Sequence, residues 1–79
     1  MAADAEVLEE SRKVRRLQLV VDLVMNILRQ SDIPVEEAAE LVAQTRRYAL
    51  SLFPDKGNTY DLIYQPRFQR VLAEKYKMV

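Results

Sequence analysis

The stretch Leu17-Gln18-Leu19-Val20-Val21-Asp22-Leu23-Val24-Met25-Asn26-Ile27-Leu28 decides the fold. Turning each residue by about 100° places Gln18, Asp22 and Asn26 on one stripe with Ser11, Arg15 and Arg29, roughly 80° wide. Nearly everything else from Leu17 onward is apolar. One face carries Val14, Leu17, Val21, Val24 and Leu28 at alternating intervals of three and four, the pattern of a helix–helix seam. A second face carries Leu19, Val20, Leu23 and Ile27. The run is too short to span a bilayer, which needs about 20 apolar residues, and it contains Asp22 and Asn26. It reads as a core or interface helix, with no membrane contact expected.

Working outward, Asp4, Glu6, Glu9 and Glu10 put negative charge at a positive helix end, so the first helix is predicted from near Asp4 to about Gln30. Glu9 and Lys13 are ordered for an ion pair four residues apart. Ser31-Asp32-Ile33-Pro34 ends that helix, because Pro34 suits the first turn of a new one and disfavours helix just before it. Ser31 or Asp32 is the expected cap. Helix 2 is predicted from Pro34 to Phe53, with Val35, Ala38, Leu41, Val42, Ala49, Leu52 and Phe53 inward and Glu36, Glu40, Gln44, Arg47 and Ser51 outward. Pro54-Asp55-Lys56-Gly57-Asn58 is a turn, with Gly57 expected to take a left-handed conformation. A third helical region starts near Thr59, and Pro66 kinks it or splits it into about 59–65 and 66–77.

The predicted fold is therefore all-α: a small bundle of three main helices in a single domain over 1–79. At ~1.5 Å per residue helix 1 is about 40 Å long and its neighbours about 30 Å, so residues 1–10 form an overhanging or frayed arm. With 79 residues, 49% of them hydrophobic and 30% charged, the chain has the composition of a folding domain with a modest core. It lacks cysteine, so disulfides, thiolate zinc sites and cysteine nucleophiles are excluded. Histidine is absent too, and Ser11, Ser31 and Ser51 have no base beside them, which excludes hydrolytic triads. No catalytic, cofactor or metal site is expected. Glu36, Glu37 and Glu40 read as a solvated helix start rather than a cation site. Lys56-Gly57 lacks the remainder of a phosphate loop. The acidic start, without an apolar stretch, does not read as a secretory signal, and a cytoplasmic location is the default expectation.

An apolar arc of roughly 240° on helix 1 exceeds the ~100° that an ordinary bundle helix buries. A homodimer is the simplest cover, since two-fold assemblies are the commonest. The predicted interface is Val14, Leu17, Leu19, Val20, Leu23 and Ile27, in a non-enzymatic interaction protein. The competing reading makes helix 1 the central helix of a monomer, wrapped by helix 2 and both pieces of the third region. Another protein's groove is a further possible cover.

The alternative function is nucleic-acid or anion binding by Arg12, Lys13, Arg15 and Arg16, with Arg46, Arg47, Arg67 and Arg70 as further candidates. Arginine outnumbers lysine eight to four, and its planar fork suits phosphate. Against this, twelve basic residues balance twelve acidic ones, so no long-range positive field exists, and no helix-turn-helix signature is present. Ion pairing and solvation are the plainer fate of these side chains. Tyr48, Phe53, Tyr60, Tyr64, Phe68 and Tyr76 read as one end of the core, with each phenol reaching solvent or a carboxylate such as Asp61, in preference to a base-stacking platform.

Overall fold

The seam on helix 1 is what the rest of the chain folds against. The computed structural model describes residues 2–77, and side chains for 6–77, so Met1, Met78, Val79 and the Asp4 side chain lie outside the described residues. Four α-helices follow in order: α1 (Ala2–Gln30), α2 (Val35–Leu52), α3 (Gly57–Ile63) and α4 (Gln65–Tyr76). The all-α expectation holds, and three main helices become four. Pro66 is the reason. Having no amide hydrogen, it cannot continue the ladder of α3, so α3 ends at Ile63 and Pro66 sits in the first turn of α4, where that hydrogen is not needed.

Leu17, Val21, Val24 and Leu28 are buried along the α1 seam. Facing them, α2 buries Ala38, Val42, Thr45 and Ala49, again at intervals of four and three. The two alanines leave room for close helix approach, and the Thr45 hydroxyl donates to the Leu41 carbonyl at 2.8 Å, so its burial leaves no polar group unpaired. α4 adds Phe68, Val71 and Leu72, with Phe68 and Leu28 wholly enclosed. α3 contributes Tyr60.

Two local expectations are corrected. Neither Ser31 nor Asp32 caps α2: Pro34 is itself the N-cap, its carbonyl accepting from the Ala38 amide at 3.1 Å, and both polar residues lie too far upstream to reach the first free amides. Gly57 is not left-handed. It is the first residue of α3, two positions before the predicted start, and among the described residues only Lys77, at the end of α4, has positive φ (44°).

The far ends are tied together by α4. The Lys75 ammonium donates to the carbonyls of Leu28 and Ser31, and the Tyr76 hydroxyl donates to the Ile33 carbonyl at 2.7 Å. A cation at the last carbonyls of α1 is where the helix dipole favours one. At the opposite end α2 stops at Leu52 while α1 continues, so the molecule measures 52 × 22 × 15 Å. Its radius of gyration of 14.5 Å exceeds the ~11.6 Å expected for a compact domain of this length. The N-terminal turns of α1 stand out as an arm.

Candidate interaction surfaces on the first helix

Because α2 and α4 cover one side of α1, the positions on its other side keep their solvent. Leu19 is 65% exposed and Leu23, one turn further on, 58%. Val20 and Ile27 are half-buried on the shoulder of the same face. Of the other two predicted interface residues, Leu17 lies in the chain's own core and offers no free surface, whereas Val14 is 44% exposed. The wrapped-monomer alternative required all of this second face to be sheltered within one copy, and Leu19 and Leu23 are not.

Sequence reading missed the arm's own apolar residues, Val7 at 66% and Leu8 at 57% exposed. A signal for Val7 was present: Val7, Glu10, Val14 and Leu17 continue the three-and-four spacing of the seam toward the N-terminus. Val7, Glu10, Ser11, Val14, Arg15 and Gln18 line one shallow groove along the arm. At its foot, Val14 and Leu17 meet Leu50 and Phe53 of α2 and Tyr60 and Ile63 of α3 around an apolar cavity of about 280 Å³, with Glu10 and Lys56 among its lining residues.

Tyr60 is 3% exposed, and its hydroxyl has no hydrogen-bond partner among the described residues, contrary to the expectation that each phenol would reach water or a carboxylate. Burial pushes its pKa up to about 12; the Asp61 carboxylate and Tyr64 add to the rise and the Arg46 guanidinium opposes it. The phenol is therefore neutral at ordinary pH. Its ring lies 5.3 Å from that of Tyr64, tilted by 38°.

The basic candidates do not gather into one surface. Arg46 is committed to Asp61 through a two-pronged contact, Nε–Oδ1 at 2.8 Å and Nη2–Oδ2 at 3.1 Å. That guanidinium holds the Asp61 carboxyl below its usual range and is itself held more firmly protonated. Arg47 pairs with Glu40 at 2.8 Å. Arg67 lies 6.0 Å from the Tyr64 ring centre, and with Arg70 it joins Arg29 in a groove that also contains Asp22 and Glu74. Arg12, Arg15 and Arg16 are exposed on the arm, with Lys13 half-buried beside them. Glu9 and Lys13 do not form their expected pair: among the described residues the ion pairs are Arg46–Asp61 and Arg47–Glu40.

Among the described residues no group of three acidic side chains is placed to hold a metal ion, and no helix is long and apolar enough to cross a membrane. No protein family, no curated protein and no solved structure matches the chain.

Proposed function

We propose that this chain is a non-enzymatic helical interaction protein that self-associates through α1, forming a homodimer. The supporting observation is the exposed Leu19–Leu23 pair with Val20 and Ile27 on its shoulder. Two leucines one helical turn apart form a ridge that a second helix can pack, and enclosing the part of each still exposed is worth about 1–2 kcal/mol. Leu19→Glu or Leu23→Glu lowers the solution mass toward that of one chain while leaving helical content nearly unchanged, as read by light scattering and circular dichroism, and the unfolding midpoint falls only by the lost linkage to association. Variants that still run at the wild-type mass would rule this face out.

A second reading, nucleic-acid binding by the arm, is favoured by the exposure of Arg12, Arg15 and Arg16. A dimer would present that cluster twice. Binding of this kind weakens as salt rises, because it depends on counterion release. Fluorescence anisotropy with random DNA and RNA at low salt tests it, and a flat titration removes it.

A further inference from the structure

The cavity at the foot of the arm is large for so small a core. Close-packed interiors leave few spaces bigger than a water molecule, whereas this one amounts to about 280 Å³ between α1, α2 and α3. A cavity of about 150 Å³ is enough to take benzene, so the space matches a molecule of two fused rings. Its walls name the chemistry. Val14, Leu17, Leu50 and Ile63 make it apolar, and Phe53, Tyr60 and Tyr64 bring three aromatic side chains, which favour offset or edge-to-face contacts with a further ring. The charged lining residues are one acid and one base, Glu10 and Lys56, both exposed and neither in an ion pair within the chain. Opposite charges at one site offset each other, so neither an anionic nor a cationic occupant is selected.

Of the polar side chains in the lining, Tyr60 alone is buried, and its hydroxyl has no hydrogen-bond partner among the described residues. Water answers that need poorly. A buried water makes about three hydrogen bonds, and the other buried lining residues, Leu17 and Ala49, have no polar side-chain atom to give it. We propose that this cavity binds a small neutral aromatic molecule of two fused rings, whose hydroxyl or carbonyl group pairs with the Tyr60 hydroxyl. Sites for small ligands have this make-up: mostly apolar walls with a few polar groups that fix orientation. Val14 and Leu17 lie roughly 120–180° around α1 from Leu19 and Leu23, so the site is separate from the self-association ridge and does not depend on it.

2-Naphthol and naphthalene serve as probes, titrated into the full chain and followed by calorimetry and by amide shifts in NMR. Wild type is expected to bind 2-naphthol with a Kd of roughly 10–300 μM and naphthalene more weakly, with the largest shifts at Val14, Leu50, Phe53 and Tyr60. Tyr60→Phe keeps the ring and is expected to weaken 2-naphthol about two- to tenfold while leaving naphthalene unchanged. Leu50→Trp or Ile63→Trp puts a ring of the protein's own into the space and abolishes binding of both probes, with circular dichroism confirming that each variant is folded. Leu19→Glu leaves both affinities at the wild-type level. Failure of either probe to bind up to its solubility limit, shifts centred away from the lining residues, or a 2-naphthol affinity that Tyr60→Phe leaves untouched overturns the proposal.

Discussion

Tyr60 is the residue whose placement is least comfortable. Its ring fills the junction of α1, α2 and α3, yet its hydroxyl is enclosed without a partner, which costs about 1–3 kcal/mol relative to a satisfied group. Tyr60→Phe keeps the ring and removes the orphan, so it should leave urea stability unchanged or raise it by about 1 kcal/mol. The same substitution changes behaviour in alkali. A phenol whose folded pKa is raised to about 12 contributes its full share of stability below the unfolded value near 10 and loses it as pH climbs between the two. Wild type is therefore expected to lose stability across that window more steeply than the Phe variant. Gly57 makes a second residue-scale test. Without positive φ, and with an added Cβ meeting Arg46 Nη2 at 3.5 Å and Leu50 Cδ2 at 3.6 Å, both ordinary contacts, Gly57→Ala should stabilise by about 0.4–1 kcal/mol in thermal or urea unfolding. A loss of more than that would mean the turn does require glycine there.

Among the elements, α1 depends most on another helix for its ending. Its last carbonyls are met by the Lys75 ammonium, which reaches Leu28 and Ser31 from 47 and 44 residues away in sequence. Lys75→Met keeps the aliphatic stem but strands those carbonyls, and a loss of about 1–3 kcal/mol in urea unfolding is expected. Hydrogen exchange should speed up first in the last turn of α1. What sequence could reveal divides along the same line. The α1 seam, the break before Pro34 and the split at Pro66 were legible because periodicity and proline act over a few residues. The Lys75 clamp, the Arg46–Asp61 pair and the enclosure of the Tyr60 hydroxyl were not, since each depends on which helices end up side by side. Gly57 was misread for a related reason: a glycine after a proline turn resembles a left-handed helix stop, and only the α3 backbone shows it to be a helix start.

For the whole molecule, the decisive quantity is how much of α1 one copy can cover. Chain length settles it: the eighteen residues of α2 run alongside twenty-nine of α1, α4 supplies twelve more, and an arm and an outer ridge are left over. The surplus apolar arc was legible from Leu17 onward and the same spacing extends it to Val7, but where α2 stops, and so which of these side chains stay exposed, emerges only from the packed helices. Light scattering over a micromolar concentration series measures the outcome directly. The account predicts a mass of at least twice 9.2 kDa that falls on dilution; a single mass of 9.2 kDa throughout would contradict it.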